Sequence, residues 1–262
     1  MANNKLTYIT SRDNALLVRL RKLGRHPGDY RKLGQVLLEG EHLCQAWAAR
    51  GGAPALHAVM TETAWHEGRF VELAEAAAAT VIVSDAAMAD LGTLETPVPI
   101  AFVVPLRAQP QMQADAPSVV LDGVQDAGNV GSILRSAAAF GFGQVIALRG
   151  TASLWSPKVL RAAMGAHFGL DLVEGVDRGS LGELAIPLLG TSSHAMTALP
   201  DAALPWPSAW VFGNEGAGAS ADVQARCAML VRIPQPGGEE SLNVAAAAAV
   251  CLYEASRSRP SA

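Results

Sequence analysis

The chain has 262 residues, of which 50% are hydrophobic and only 17% are charged, and its formal net charge is −4. This composition excludes an intrinsically disordered or polyelectrolyte protein, because such chains lack the apolar surface that offsets the entropy lost on ordering. The length allows one large domain or two smaller ones of roughly 100–200 residues each. We therefore expect a globular protein.

Apolar runs and cysteines indicate the cellular compartment. The longest apolar run, residues 244–253, is shorter than the ~18 residues of a membrane-spanning helix, and the first residues lack the apolar core of a secretion signal. Cys44, Cys227 and Cys251 are far apart and form no metal-binding pattern. We expect a cytoplasmic protein with reduced cysteines, no membrane segment and no metal ion.

The charge is distributed unevenly along the chain. Residues 1–35 contain eight basic and two acidic side chains, a net charge of +6, which leaves −10 for the rest. A basic segment on an acidic protein favours a polyanionic partner at one end of the molecule. A solvated helix face that binds nothing is the alternative, and charge alone does not decide between the two.

The first part of the chain alternates predicted helices and strands. Leucines at 16, 17, 20 and 23 have helical spacing, and glycine and proline at 24–28 end that helix. The next predicted elements are a strand at 36–38, a helix at 41–50, a strand at 55–60, a helix at 67–79 and a strand at 81–83. Residues 108–117, with two prolines and few aliphatic side chains, are typical of a linker. The pattern predicts a small α/β domain over residues 1–107.

The alternation resumes over residues 118–262. Predicted strands at 119–121, 145–148, 186–189, 210–212 and 230–233 accompany predicted helices at 130–140, 159–166 and 242–256. Strands separated by helices favour a mostly parallel sheet, which binds ligands at the carboxyl ends of its strands. We therefore predict a second α/β domain whose functional loops follow its strands.

Three of these loops carry the polar residues of interest. In the first, residues 121–142, Asn129 is placed to cap a helix and Arg135 lies among apolar neighbours. In the second, residues 210–220, a strand runs into three glycines and Glu215, with a spacing that fits neither a Walker A loop nor a dinucleotide-binding loop. In the third, residues 231–254, Ser241 is predicted to cap an alanine-rich helix and Asn243 to lie in its first turn.

Each loop also has a purely structural interpretation. Asn129 could do no more than cap the helix, and Arg135 could simply extend into solvent. The glycines could form an ordinary tight turn, and the alanines could reflect helix propensity. An alanine-rich helix also suits close packing against another backbone, either inside the domain or at a subunit interface.

In this order and within one domain, the three loops resemble the sequence motifs of the SpoU (TrmH-type) family of RNA ribose 2'-O-methyltransferases. The matching runs are NVGSILRSAAAFGF (129–142), FGNEGAGAS (212–220) and IPQPGGEESLNVAAAAAV (233–250), and RAAMGAHF (161–168) is similar to the helix between motifs. The run VLLEGEHLCQAW (36–47) resembles the family's substrate-binding domain, which is similar to a ribosomal-protein fold. One departure is Ala245, where the third motif usually has serine.

The resemblance implies an α/β domain with a parallel sheet and a C-terminal trefoil knot, preceded by a small α/β substrate-binding domain. It implies S-adenosylmethionine as the methyl donor, bound among the knot loops, and a homodimer that completes the site. The residues expected to contact the donor are Thr191, Gly213, Ile233 and Leu242. The residues expected to carry catalysis are Asn129, Arg135, Glu215, Ser241 and Asn243.

The implied reaction is attack of a ribose 2'-oxygen on a methyl carbon. It needs in-line positioning and help in neutralising the hydroxyl proton. The family assigns the leading role to the arginine at position 135, but a guanidinium stays protonated in proteins and is therefore a poor base. We expect Arg135 to stabilise the developing alkoxide and to grip the neighbouring phosphate, and the other four catalytic candidates to orient Arg135 and the ribose.

The substrate would be chosen by the N-terminal domain, whose basic segment supplies phosphate contacts. A separate recognition domain favours ribosomal RNA over transfer RNA. A transfer-RNA 2'-O-methyltransferase and a non-catalytic RNA-binding assembly factor are the alternatives, and the absence of a GxGxxG loop disfavours a dehydrogenase. His167 and His194 are expected to be structural rather than catalytic.

Overall fold

The computed structural model describes residues 5–50, 53–92, 94, 96–238 and 241–259. The strands there are β1 (Lys5–Ile9), β2 (Gln35–Glu39), β3 (His57–Thr61), β4 (Ala79–Val83), β5 (Ile100–Pro105), β6 (Ser118–Asp122), β7 (Gln144–Leu148), β8 (Asp171–Val176), β9 (Leu188–Thr191), β10 (Thr197–Ala198), β11 (Ala209–Gly213) and β12 (Met229–Arg232). The helices are α1 (Ala15–Arg25), α2 (Asp29–Leu33), α3 (Glu41–Arg50), α4 (Glu62–His66), α5 (Val71–Ala74), α6 (Asp85–Ala89), α7 (Ala127–Ala139), α8 (Pro157–Ala163), α9 (Ala221–Gln224) and α10 (Val244–Arg257). Within these residues, none of the helices has both the length and the hydrophobicity needed to cross a bilayer.

The chain divides into two compact units. The first consists of Met1–Ala108 together with Trp155–Phe168, and the second of Gln109–Leu154 together with Gly169–Ala262. The RAAMGAHF run therefore belongs to the first unit, where α8 is followed by a 3-10 turn at Ala166–Gly169. In that unit Arg161 of α8 forms an ion pair of 2.9 Å with Glu39 at the end of β2. The first unit is thus not built from one continuous stretch of chain.

The first unit contains a five-stranded sheet in the order β1-β4-β3-β5-β2. β1, β4 and β3 run parallel, whereas β5 runs antiparallel to β3 and β2. β1 and β5 are not among the predicted strands. β5 is an almost continuously buried apolar run, and such a run lacks the alternation that marks a half-buried strand.

The predicted helix over residues 67–79 is wrong. Only α5 is helical there, because the following alanines pair with the segment that leads into β3. The N–H of Ala55 donates to the carbonyl of Ala76 at 2.9 Å, and the N–H of Ala78 donates to the carbonyl of Ala55 at 2.8 Å. Tertiary pairing thus overrides the helix propensity of alanine.

The second unit contains a seven-stranded sheet in the order β10-β12-β9-β11-β6-β7-β8. Every neighbouring pair is parallel, which confirms the predicted parallel α/β architecture. The five predicted strands correspond to β6, β7, β9, β11 and β12, and β8 and β10 were not predicted. Because β12, β9, β11 and β6 are successive neighbours, the loops after them meet at one edge of the sheet.

Both faces of this sheet are covered. On β11, Val211 packs in a core cluster with Val120 and Ile146, while Trp210 is fully buried and stacks on Phe212 at 6.3 Å between ring centroids. Continuous burial along a strand is typical of parallel sheets with helices on both sides. The alanine-rich α10 packs along α7, with Ala248 buried, so its small side chains are used inside the unit.

Candidate active site

Helix α7 begins earlier than the sequence predicts, which changes the role of Asn129. The N-cap is Asp126, whose carboxylate accepts a hydrogen bond of 2.9 Å from the N–H of Asn129. The prediction that Asn129 caps this helix is therefore wrong. Asn129 lies in the first turn instead, and its side-chain amide is available for contacts with other loops.

The glycine-rich loop after β11 is closed at its neck by backbone hydrogen bonds. Asn214 and Gly218 exchange N–H to carbonyl bonds of 3.0 and 2.8 Å, and the Asn214 side chain accepts from the N–H groups of Gly216 and Ala217. Asn214 also donates from Nδ2 to the carbonyl of Gly123 at 3.0 Å. Glu215 is consequently held at the tip of the loop, facing the start of α7.

The third loop reaches the same place through Asn243. Asn243 is the N-cap of α10, and its Oδ1 accepts from the N–H groups of Ala245 and Ala246 at 2.9 and 3.2 Å. The prediction that Ser241 caps this helix is therefore wrong. A cap side chain lies at the helix terminus, so Asn243 can also contact a neighbouring loop.

A chain of side-chain hydrogen bonds joins the three loops. Asn243 Nδ2 donates to Asn129 Oδ1 at 2.9 Å, and Asn129 Nδ2 donates to Glu215 Oε1 at 3.1 Å. We call Asn243, Asn129 and Glu215 the amide relay. Because the Asn129 amide is engaged at both its oxygen and its nitrogen, its orientation is fixed.

Glu215 accepts more hydrogen bonds than this one. The N–H of Asp126 donates to Oε1 at 3.0 Å and the N–H of Gln125 donates to Oε2 at 3.2 Å. Partial burial by itself would raise the pKa of Glu215, but the hydrogen bonds from Asn129, Asp126 and Gln125 outweigh it and hold the pKa below its usual value. Glu215 is thus a fixed anion that orients its neighbours.

The lowered pKa of Glu215 predicts a pH dependence of stability. The folded protein binds this proton more weakly than the unfolded chain, whose glutamate has a pKa of 4.5. The stabilisation by Glu215 is therefore present above that value and is lost as the pH falls through the lower pKa of the folded state. Urea unfolding of the wild type and Glu215→Gln over about pH 3 to 7 should show the two proteins converging at the acidic end. Glu183→Gln, at an exposed glutamate of the same unit, is the control; equal pH profiles for wild type and Glu215→Gln would refute the prediction.

A cavity of about 690 Å³ lies beside the relay, within the range of ~300–1,000 Å³ typical of small-molecule sites. Its lining includes Glu215, Asn243, Ser241 and the glycine loop. Of the four predicted donor-binding residues, Thr191, Gly213 and Leu242 line this cavity. Ile233 lines a neighbouring hollow of about 180 Å³, to which Thr191, Ser241 and Leu242 also contribute.

Arg135 does not join the other catalytic candidates. It is exposed on α7 and lines a different hollow, together with Phe140 of α7's C-terminal end and Ala249 of α10. Asn129 and Arg135 are six positions apart on one helix, which separates them by about 9 Å along the axis. Within one chain, the structure thus brings together Asn129, Glu215, Ser241 and Asn243 but not Arg135.

Sequence reasoning did not identify three polar residues that shape the site. Asp126 caps α7, Asn214 folds the glycine loop, and Asp122 holds the loop's far end. The cap could have been recognised, because aspartate is a preferred N-cap and precedes Asn129 by three positions. Nothing in the sequence pattern signals the long-range bonds of Asp122.

Comparison with known proteins places this site in a family. The SpoU rRNA Methylase family matches residues 116–253, a region that contains all three motif runs, 129–142, 212–220 and 233–250. The chain belongs to the SpoU rRNA Methylase family. This confirms the resemblance seen in the sequence motifs.

Three similar proteins align with most of this chain. An uncharacterised tRNA/rRNA methyltransferase of Synechocystis sp. is 34% identical, over 96% of this chain and 94% of its own length. The 23S rRNA (guanosine(2553)-2'-O)-methyltransferase RlmP of Bacillus subtilis is 30% identical, over 85% of this chain and 88% of its own. The SpoU methyltransferase AviRb of Streptomyces viridochromogenes, solved in complex with the cofactor AdoMet, is 27% identical with a TM-score of 0.81, and covers 93% of this chain and 97% of its own.

Proposed function

We propose that this SpoU family protein methylates a ribose 2'-hydroxyl of RNA, with ribosomal RNA as the favoured substrate and S-adenosylmethionine as the methyl donor. The observation that carries the proposal is the amide relay, which joins one residue from each family motif and of which Glu215 and Asn243 line a single cavity. The name of the Bacillus subtilis relative, a 23S rRNA 2'-O-methyltransferase, supports the choice of ribosomal RNA. Because the substrate would be RNA, the enzyme would act in the cytoplasm.

The residues around the cavity fit a nucleoside-type donor. Gly213 and the loop that follows it present backbone groups without intervening side chains, Leu242 and Ile233 offer apolar surface, and Thr191 offers a hydroxyl. Close backbone approach with a few polar groups is how proteins bind compact ligands of mixed polarity. When bound, S-adenosylmethionine would supply an electrophilic methyl group on its sulfonium.

The residues of the relay would position the ribose rather than take its proton. Glu215 has both carboxylate oxygens occupied by N–H donors, and its lowered pKa makes it a weak base. Its role is to hold the Asn129 amide, while Asn243 holds that amide from the other side. Ser241, on the cavity wall, would add a hydroxyl hydrogen bond, and Arg135 would stabilise the developing negative charge on the 2'-oxygen.

We propose that a homodimer completes the site, because Arg135 lies away from the cavity of its own chain. The hollow that contains Arg135 borders an exposed apolar strip on α10, where Val250 is 42% and Tyr253 is 54% exposed. Tyr253 contacts the ring of Phe140 at 5.7 Å, so the strip continues onto the end of α7. A second copy packed on this face would cover the strip and could bring its Arg135 to the neighbouring relay.

Val250→Lys should convert the dimer into a monomer, because it places a charge in the centre of this face. Light scattering coupled to size-exclusion chromatography would measure the mass. Met196→Lys, which changes a methionine that is 92% exposed elsewhere in the unit, is the matched control and should leave the mass unchanged. A wild-type protein with the mass of a single chain would refute the dimer.

We also propose the family's trefoil knot in the second unit. The sheet order supports it, since β12 enters between β10 and β9 and the following segment returns to the relay through Asn243. A crystal structure that traced residues 233–243 outside the loop formed by the preceding strands would contradict it.

We propose that the first unit binds RNA, mainly through cations on the outer face of α1. Of the basic residues there, Arg21 and Arg25 are occupied by ion pairs of 3.0 and 2.5 Å with Asp90. Arg19 and Lys22 are exposed, three positions apart on one face. Burial lowers the pKa of His57 and the charge of Arg19 lowers it further, which indicates positive potential beside α1.

Changing Arg19 and Lys22 together to serine should weaken RNA binding and reduce its dependence on salt. Each lost phosphate contact lowers the slope of log affinity against log salt by about 1, so the double variant should lose about 2. Fluorescence anisotropy with a ribosomal-RNA fragment over several salt concentrations would measure this. Arg69→Ser with Arg149→Ser removes the same charge from two exposed arginines that pair with acids on the surface, and should leave the slope unchanged.

Transfer of label from S-adenosylmethionine to RNA tests the proposed activity. Ribosomal and transfer RNA would be assayed separately, and digestion to nucleosides would locate the methyl group. We expect 2'-O-methylation of ribosomal RNA. Label confined to transfer RNA would favour the alternative substrate, which the Synechocystis relative's name also includes. RNA binding without transfer to any fraction, including assembling ribosomal particles, would indicate a non-catalytic assembly factor.

A further inference from the structure

A buried carboxylate at the end of β6 is bonded to four donors, although it does not line the cavity. Asp122 is 2% exposed. Its Oδ2 accepts from the N–H of Ser220 at 2.7 Å and from the Ser220 hydroxyl at 2.6 Å. Its Oδ1 accepts from Nε and Nη2 of Arg178 at 3.2 and 3.1 Å. A carboxylate kept this far from water at this position needs an explanation, because an apolar side chain would avoid the cost of desolvation.

Asp122 holds both ends of the glycine loop. In the sheet, Asp122 is paired in register with Gly213, where the loop begins. Its carboxylate accepts a hydrogen bond from Ser220, where the loop ends. Between these points the chain closes on itself at Asn214 and Gly218 and presents Glu215 at its tip. Because the start of the glycine loop, its end and its closure between Asn214 and Gly218 are all held in place, Glu215 has little freedom to move.

The orientation of the Asn129 side chain depends on the position of Glu215. Glu215 accepts from Asn129 Nδ2 at 3.1 Å and from the N–H groups of Gln125 and Asp126 at 3.2 and 3.0 Å. Hydrogen bonds of this kind weaken within a few tenths of an ångström beyond these distances. A shift of the loop by about 1 Å would therefore release the amide relay, and misplacement of that size costs about 100-fold in rate at a reacting centre.

We propose that Asp122 is a positioning residue for methyl transfer, acting through Ser220 and the glycine loop on Glu215 and the amide relay. This inference rests on the proposed function for its effect on rate, but its effect on the loop can be measured without any reaction. The side chain of Asp122 neither lines the cavity nor bonds to the relay, so Asp122 is not a catalytic residue.

Asp122→Asn tests the proposal with almost no change in shape. All four groups around the carboxylate are donors, so an amide nitrogen on either side would face a donor. We expect kcat for methyl transfer to fall about 100-fold while the KM for RNA stays within about twofold. We also expect amide hydrogen exchange at Gln125 and Asp126 to accelerate about tenfold, because their N–H groups bond Glu215 and not Asp122.

Two further variants separate positioning from general stability. Ile186→Ala shortens a buried side chain of the core cluster of the same unit, two residues before β9, and should lower the melting temperature without affecting kcat or exchange at these two amides. Ser220→Ala removes one of the four bonds and should accelerate exchange by about threefold, and Ser220→Thr, which keeps the hydroxyl, should restore the wild-type rate. If Asp122→Asn does not fold, the comparison of Ser220→Ala with Ser220→Thr tests the proposal.

The proposal is overturned if exchange at Gln125 and Asp126 is unchanged in Asp122→Asn, or in Ser220→Ala where only that variant folds. It is also overturned if Ile186→Ala, at an equal loss of melting temperature, accelerates the same amides equally. A wild-type protein that transfers no methyl group would refute the proposed function instead, and accelerated exchange would still establish the coupling from Asp122 to Glu215.

Discussion

Replacing Arg135 with alanine is expected to lower kcat by about 1,000-fold and to leave the affinity for S-adenosylmethionine unchanged. The reason is that Arg135 is the cation proposed to neutralise the 2'-oxygen as it becomes negative, whereas it contributes nothing to the lining of the cavity. Single-turnover methyl transfer would measure the rate, and calorimetric titration with S-adenosylmethionine the affinity.

Two further variants test whether the loss of rate is specific to the guanidinium of Arg135. Arg135→Lys keeps the charge but loses the planar, multiply donating group, so we expect it to recover only part of the rate. Arg149→Ala removes an exposed arginine of the same unit that pairs with Asp177 at 2.8 Å, and it should retain full activity. Near-normal turnover by Arg135→Ala would disprove the role of Arg135. Loss of S-adenosylmethionine binding would show instead that Arg135 shapes the donor site.

Gly213→Ala is expected to abolish most of the binding of S-adenosylmethionine. A Cβ at this position would lie 1.9 Å from the nitrogen of Ala219 and 2.0 Å from the carbonyl carbon of Gly218, both of them backbone atoms. The glycine loop would have to move away, at a cost of about 1–3 kcal/mol. Because that loop forms a wall of the cavity, we expect the affinity for S-adenosylmethionine to fall by about 5- to 150-fold.

The control for this prediction is another glycine of the same unit. Gly143→Ala adds the same methyl group where nothing lies within 4 Å, so affinity and stability should remain close to those of the wild type. Calorimetric titration and thermal unfolding of both variants provide the comparison. Wild-type affinity in Gly213→Ala would mean that the glycine loop does not contribute to the donor site.

The errors at the helix starts show what local sequence can and cannot resolve. Asparagine and serine are both good N-caps, so Asn129 and Ser241 were reasonable predictions. The actual caps, Asp126 and Asn243, differ by three and two positions. These shifts matter for the proposed function, because they place the amides of Asn129 and Asn243 2.9 Å from each other, where two loops meet.

Taken alone, the sequence determined the features that depend on near neighbours in the chain. Alternating strands and helices predicted a parallel α/β sheet, and three runs that resemble the SpoU motifs implied the family, the methyl donor and the candidate site residues. It also predicted a helix over 67–79, and there it failed, because pairing of Ala76 and Ala78 with Ala55 is a long-range contact that helix propensity does not contain.

Only the tertiary structure decided how distant residues meet. The order β12-β9-β11-β6 brings loops from three parts of the chain to one edge, so that Asn243 contacts Asn129 across 114 positions and Glu215 contacts Asn129 across 86. The same structure leaves Arg135 on the outer side of α7 and assigns Trp155–Phe168 to the first unit. The periodicity of apolar residues indicates which face of a helix or strand is buried. Which other element packs on that face depends on sheet order and on hydrogen bonds between residues far apart in sequence.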